Sequence, residues 1–357
     1  MKLELYTDSR ECDVLQAEWD TLVQRSVSNV LFMTWGWQCA WWEAFGTGKQ
    51  LRLLALRDNG GRLAAVAPLF AQDTFMDVDA VLPEIHVEHP VPTANGQMRR
   101  TLHLVGGTEV SDYLDIVAPA DHHREACLSL VEALASQSDW HVLDLRCLPT
   151  GSPTLATVSE LARARGWGVQ QAREDVCPVL ELPGTWAEYL TLKLNKKQRH
   201  ELRRKIRRAE QETQVEWHWA NDFVSLEPAL DTFFRLHKTS DPGKEVFMDE
   251  RMQGFFRAVA RFALQKGWLR LSTLTFNNQP VASYVCFDYA GDRLVYNSGF
   301  DLSAYSDLAP GVVLVGYMIE EAIQRRLRRF DFLQGNERYK YDFGASDTEV
   351  MRLLVRR

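Results

Sequence analysis

The chain states one pattern twice, and that repetition limits what it can fold into. Residues 51–66 read LRLLALRDNGGRLAAV and residues 269–284 read LRLSTLTFNNQPVASY. Leu51, Arg52, Leu53, Leu56, Asn59 and Ala64 match Leu269, Arg270, Leu271, Leu274, Asn277 and Ala282. Both stretches are apolar runs broken by a polar turn, the pattern of a β-hairpin. The two halves also end alike. A helical stretch near 122–138 leads to WHVLDLRCLP, and one near 311–327 leads to RRFDFLQGNE. Each closing strand carries an aspartate, Asp144 or Asp331. Two diverged copies of one mixed α/β unit account for this, with predicted domains at 1–175 and 176–357. A cleft between two such halves is a natural place for a substrate.

Composition bounds the function. At 357 residues the chain exceeds one typical core, which agrees with two domains. The net charge of −7 argues against wholesale nucleic-acid binding and excludes DNA as the expected partner. The cysteines Cys12, Cys39, Cys127, Cys147, Cys177 and Cys286 form no CxxC pair, and no histidine spacing suggests zinc. Scattered single cysteines read as thiols of a reducing compartment. The N-terminus MKLELYTDSRECDVL has no apolar signal region. No run approaches the roughly 20 apolar residues needed to span a bilayer. The expected location is therefore the cytoplasm.

Residues 2–6 alternate as a short strand, with Asp8 or Ser9 capping a following helix. The segment FMTWGWQCAWWEAF at 32–45 reads as an apolar helix, which is usually buried. Its Trp37 and Trp41 form an i,i+4 pair and are the candidates for a ligand wall. Residues 72–100, with Pro83, Pro90, Pro92 and Gly96, look irregular, and SDYLDIV at 111–117 reads as a strand. A domain boundary is expected near 172–184, followed by a helix capped by Thr185 and Glu188. Helices are expected at 226–237 and 249–266, the second ending at Gly267, with TSDPGKEV as a loop between them.

Two segments stand out for binding. KLNKKQRHELRRKIRR at 193–208 is a basic helix with a narrow apolar stripe of Leu202, Ile206 and Ala209. Its Arg199 and Arg203 are candidates to meet an anionic partner. In YNSGFDLSAYSDLAPGVVLVGYMIEEAI a strand at 292–299 ends, a polar loop intervenes, and a helix starts near Pro310. Proline suits the first helical position, and Gly311 leaves the backbone N–H groups unshielded. Such a helix end suits a pyrophosphate.

The pattern SDLAPGVVL, a helix and then FDFLQGNERYKYDF resembles the GNAT acyltransferase superfamily. The order of the segments is similar to the CelD/BcsL family of BioF2-like acetyltransferases, a branch related to the FemABX peptidyltransferases. The supporting segments are the aromatic N-terminal helix, the hairpin ending VAPLF, SDYLD, the helix bearing Arg199 and the run GNERYK. The resemblance implies tandem GNAT-like domains, each a largely antiparallel mixed sheet flanked by helices. It implies an acyl-CoA donor, no metal, and an amine acceptor on a small molecule, amino sugar or polysaccharide precursor. The superfamily's pyrophosphate signature, Q/R-x-x-G-x-G/A, survives here only as Gly311.

That frame assigns roles. Ser306, Pro310, Gly311, Val312 and Lys340 would hold the donor. Glu337 and Asp331 are candidate bases and Tyr339 a candidate acid on the leaving thiolate. Trp37, Trp41, Arg199, Arg203 and Asp301 would bind the acceptor. The splay of two parallel strands, 292–299 and 329–334, would supply an oxyanion-binding N–H. The first half, with no glycine before its helix in SDYLDIVAPADHHREA, would be a degenerate donor site that shapes the acceptor pocket. An aminoacyl-tRNA donor, as in the FemABX branch, and a non-catalytic module of a polysaccharide-synthesis complex are the alternatives.

Overall fold

A computed structural model describes residues 1–76, 96–107, 109–301, 303 and 305–357. Two compact units divide the chain, Met1–Val176 with Glu349–Arg357 and Cys177–Thr348. The last nine residues thus lie in the first unit rather than in the second.

The first unit runs β1 (Lys2–Tyr6), α1 (Gln16–Arg25), α2 (Trp35–Phe45), β2 (Gln50–Arg57), β3 (Leu63–Met76), β4 (Gln97–Leu104), α3 (His123–Ser136), β5 (Val142–Pro149), α4 (Pro153–Arg163) and β6 (Gly168–Glu181). Its strand order is β1-β2-β3-β4-β5, completed by the chain's last strand, β12 (Ser346–Arg356). Every pairing is antiparallel except β4 with β5.

The second unit opens with α5 (Trp186–Glu188), prolonged by a π-turn, and α6 (Lys196–Glu212). There follow β7 (Val215–Trp219), α7 (Phe223–Ser240), α8 (Pro242–Phe247), α9 (Glu250–Gln265), β8 (Leu269–Phe276), β9 (Gln279–Tyr289), β10 (Asp292–Phe300), α10 (Pro310–Gln324), β11 (Arg329–Asp331) and α11 (Arg338–Asp342). The order is β7-β8-β9-β10-β11, completed by the end of β6. Again, among the described residues, only one pair, β10 with β11, is parallel.

The repeat is therefore structural, and it is matched to the residue. Thr101, Leu102 and His103 pair with Val142, Leu143 and Asp144. Asp292, Arg293 and Leu294 pair with Arg329, Phe330 and Asp331. Both aspartates close a three-residue parallel ladder.

Local chemistry explains the helices that matter. Asn195 and Gln198 form a reciprocal capping box that starts α6. Leu202 and Ala209 are buried along its narrow stripe, beside Ile206. Gly316 of α10 lets this stripe approach, since a Cβ there would sit 3.1 Å from Ile206 and 3.3 Å from Leu202. The buried guanidinium of Arg293 on β10 bonds Asp288 at 2.7 and 2.9 Å, the Met318 carbonyl at 3.1 Å, and pairs with Glu321. It ties α10 to the strand beside the parallel pair.

Several expectations are corrected. Residues 72–76 and 97–100 belong to the paired strands β3 and β4. Pro83, Pro90 and Pro92 lie outside the described residues. Residues 111–117 form no strand and make a single bridge, Val66 to Val117. The side chain of Asp115 there accepts from the Ile116 N–H at 2.8 Å, competing with a ladder. TSDPGKEV contains α8, whose Asp241 caps the Gly243 N–H. β11 stops at Asp331, and residues 338–342 form α11 rather than a continuation of that strand.

Candidate functional site

Beyond Leu294 and Asp331 the parallel pair ends. β11 stops, while β10 bulges between Val295 and Asn297 and runs on to Phe300. The chain then enters α10 through the turn Ser306–Leu308. Tyr305 and Ala309, on either side of it, both adopt left-handed backbone, at φ 60° and 50°. Ala309 is the N-cap and offers no side-chain hydrogen bond, and Pro310 follows it. The helix end is therefore left without a side-chain acceptor, which favours an external anion.

A cavity of about 250 Å³ opens at this helix end. Asp301, Ser306, Pro310, Gly311, Val312 and Tyr339 line it, with Ala309. Six of the sequence-selected residues thus meet in one place. Two lining residues, Tyr284 and Phe300, were missed by sequence reasoning. Their rings meet edge to face, 5.6 Å between centroids. The position of Phe300 at the end of the Asp-facing strand was the only available signal. Gly311 is small because of this wall, since a Cβ there would lie 2.6 Å from the Phe300 ring.

The polar groups differ in what they are free to do. Burial raises the pKa of Tyr339, helped by the Glu337 charge and Cys286, so its phenol stays protonated. Tyr284, fully buried, is pushed up in the same way. The Asp301 carboxylate accepts from the Ser303 N–H at 2.9 Å and from its hydroxyl at 2.6 Å.

Lys340 is corrected as a donor-binding residue. It is buried, and its ammonium donates to the carbonyls of Leu333, Gln334 and Gly335 at 3.2, 2.7 and 3.0 Å. It also pairs with Glu337 at 2.9 Å. That cation organises its own turn and has no proton left for a phosphate. Glu337 is the exposed partner, 60% accessible, and does not line the cavity. Asp331 is buried, and it accepts from the N–H of Leu333 at 2.8 Å, fixing that residue's left-handed backbone at φ 57°. Trp37 and Trp41 are both only 1% exposed, which places them in the core instead of on a ligand wall. Their ring N–H groups donate to Ser111 and Glu109.

On α6, Arg199 donates to the Leu190 carbonyl at 3.0 Å, and Arg204 pairs with Glu201. Arg203 is exposed. Arg208 reaches the Asp307 carbonyl in the turn before α10, at 3.2 Å. Lys244 of α8, a cation missed by sequence reasoning, donates to the Ser298 carbonyl at 2.9 Å and lies 5.5 Å over the Phe300 ring. Burial lowers its pKa. His237 of α7 binds the same carbonyl through Nδ1 at 2.9 Å. Together they clamp β10 just past the point where the strands part. Among the described residues no group of His, Cys, Asp and Glu is arranged to hold a metal ion.

Residues 196–341 match the family model of the acetyltransferase (GNAT) domain. The crystal structure of FemX superposes with a TM-score of 0.60 at 12% identity, covering 99% of this chain and 97% of that one. A C-terminal domain from Agrobacterium fabrum, named for lysylphosphatidylglycerol synthetase, gives 0.51 at 9% identity, covering 94% and 92%. The structure of L-PGS from Bacillus licheniformis gives 0.50 at 12% identity, covering 90% of each chain. A search of curated proteins finds no match. The fold is that of GNAT-domain acetyltransferases.

Proposed function

We propose that this GNAT-fold chain is an N-acyltransferase that moves an acyl group from a CoA thioester to an amine. The observation that carries the reading is the cavity at the uncapped N-terminus of α10, beside the point where β10 leaves β11. The helix end suits a phosphate, and Arg208, which also pairs with Glu212, reaches the turn before it. Ser306, Gly311 and Val312 contact the donor, and Pro310 sets the first helical turn.

In the reaction the amine nitrogen attacks the thioester carbonyl carbon, the C–S bond breaks, and the amine's proton is lost. Tyr339, kept protonated by burial, donates to the departing thiolate. Asp301 is the carboxylate inside the cavity, and it holds the amine and takes its proton. Glu337 and Asp331, both engaged elsewhere, yield that role. The N-terminal domain, which we assign to 1–175, serves the acceptor, as expected of a degenerate copy. The narrower likeness to the CelD/BcsL branch favours an amino-sugar or polysaccharide-precursor amine.

A second reading has its own support. FemX, a domain named for lysylphosphatidylglycerol synthetase and L-PGS share the fold along nearly the whole chain. The outer face of α6 leaves Lys196, Lys197, Arg203 and Arg207 exposed. That combination fits an aminoacyl group delivered on tRNA. Calorimetric titration with acetyl-CoA, with free CoA and with an aminoacyl-tRNA decides between them. Saturable binding of acetyl-CoA that is lost in Gly311→Val supports the first reading. Binding of the tRNA alone overturns it.

A further inference from the structure

The first unit contains a second cavity, of about 210 Å³, remote in sequence from the α10 site. It exceeds the roughly 150 Å³ apolar cavity known to hold a benzene molecule. Trp19, Trp35 and Trp42 form its walls, with Trp19 and Trp35 edge to face at 5.3 Å. Trp35, Cys39 and Trp42 lie four and three residues apart on α2, so one helix face turns aromatic side chains toward the cavity. The opposite face buries Trp37 and Trp41. This helix is rich in tryptophan on both faces, and the face turned to the cavity is only partly buried.

The charges at the cavity are unbalanced. Asp13 and Glu43 line it and are exposed, and their carboxylates have no hydrogen-bond or ion-pair partner among the described residues. The one lining cation, Arg10, is already paired with Asp8 through two hydrogen bonds of 3.2 and 2.8 Å. The lining residue Gln38 is buried, and its Nε2 donates to the carbonyls of Phe32 and Val105 at 2.8 and 3.0 Å. Those two acceptors fix the amide's orientation and leave Oε1 buried without a partner. The thiols of Cys12 and Cys39 are pushed up to about 12 by burial, so they add no thiolate charge. The cavity presents aromatic faces and carboxylates, and its one lining cation is already paired.

We infer that this cavity binds an organic cation, a protonated amine carrying an aromatic or aliphatic body of about the size of a phenyl group. The body stacks between Trp35 and Trp42, and the ammonium sits between ring faces and the carboxylates of Asp13 and Glu43. The site belongs to the unit that carries no donor cavity in the proposed function, and it stands whether or not that function holds.

The test is calorimetric titration of the full chain with three probes of one shape: 2-phenylethylamine, 2-phenylethanol and phenylacetate. An Asp301→Asn background suppresses binding of the amine at the α10 cavity. The amine should bind saturably, on the order of tenfold tighter than the alcohol, with phenylacetate weakest. Asp13→Asn with Glu43→Gln should remove that preference while leaving the melting temperature close to that of the parent. Trp42→Ala should weaken the amine and the alcohol together. Equal binding of the three probes, no saturable binding of the amine, or an amine affinity unmoved by both sets of substitutions would each overturn the site. Acetyl-CoA titrated in parallel reports on the α10 site alone.

Discussion

Helices α3 and α10 hold equivalent places in the two units, each between the strands of the single parallel pair. Their N-termini are built differently. In the second unit Ala309 and Pro310 deliver the chain into α10 with no side-chain cap, and a cavity opens there. In the first unit no side chain caps α3 either, but its first residue anchors a buried polar network. His123, the first residue of α3, is buried with Nε2 3.0 Å from the Thr154 hydroxyl, which in turn donates to Asp115. The Ser28 hydroxyl donates to the same carboxylate. Cys127 closes the chain, its sulfur 3.6 Å from His123 Nδ1. The scaffold is repeated, and the cavity at the start of α10 is the feature on which the proposed donor site rests. What differs is the segment entering the helix, Asp301–Ala309 in one unit and Ser111–His122 in the other.

The largest effect expected from breaking this contrast is on turnover. If the open helix end is the donor site, Tyr339→Phe should lower kcat by about 10²-fold or more with little change in acetyl-CoA affinity. Asp301→Asn should slow turnover and raise KM for the amine, while Glu337→Gln should do less than either. Steady-state assays with one acetyl-CoA and amine pair check all three. Near-normal rates in Tyr339→Phe would detach the cavity from the chemistry.

Next comes the closed end. Asp115→Ala strands the hydroxyls of Ser28 and Thr154 and should cost about 2–3 kcal/mol of stability by denaturant titration. Acetyl-CoA affinity should not change, because the polar network holds only structure. A loss of donor binding without a loss of stability would show that the first unit is not closed.

Both units also share a dependence on acid. Burial lowers the pKa of His237 from 6.5 to about 4, and burial lowers those of His123 and His103. Each is neutral in the fold and is protonated first in the unfolded chain. Their contribution is complete above pH 6.5 and is lost as pH falls below it, for His237 toward pH 4. Melting temperatures should therefore fall across that window. His237→Gln should flatten the curve, and an unaltered slope would mean that other groups carry it.

How much of this was readable follows from what each residue faces. The repeat was legible because paired strands demand alternating apolar residues, and Asp144 and Asp331 mark the same register position. The helix start at Thr185 was legible because capping is local chemistry, whereas the matching box at Asn195 was overlooked. The helix end at Pro310–Gly311 was legible for the same reason. Roles that depend on distant partners were not. Lys340 looks like any basic residue until three carbonyls of its own turn surround it. Trp37 and Trp41 share their spacing with Trp35 and Cys39, and only the packing of α2 says which face is covered. Lys244 and His237 reach the site through one carbonyl of β10, a meeting that no sequence spacing announces.

A smaller effect sharpens the comparison at Gly311. In Gly311→Ala the added methyl meets the Phe300 ring, a movable side chain, so the fold should persist with a loss of about 1 kcal/mol. Acetyl-CoA should bind several-fold more weakly as the ring turns into the cavity. The matching change in the first unit, at the buried start of α3, should leave donor affinity untouched. Equal and negligible effects on binding at both helix ends would erase the functional difference between them.

The smallest effect belongs to the surface of α6. Arg199 and Arg204 are unsuitable probes, because one supports the Leu190 carbonyl and the other pairs with Glu201. Arg203 and Arg207 are exposed. Changing both to Gln preserves helix propensity and should move stability by no more than about 0.5 kcal/mol. An acyl-CoA donor seated at α10 draws on Arg208 and the helix end, so its affinity should change little and its salt dependence only slightly. A tRNA-borne donor crosses a wider basic surface, and removing two contacts should lower the slope of log affinity against log salt by close to two. The double variant therefore separates the two donors through salt dependence rather than rate. A strong effect on acetyl-CoA binding would extend the donor site from the α10 helix end onto the exposed face of α6.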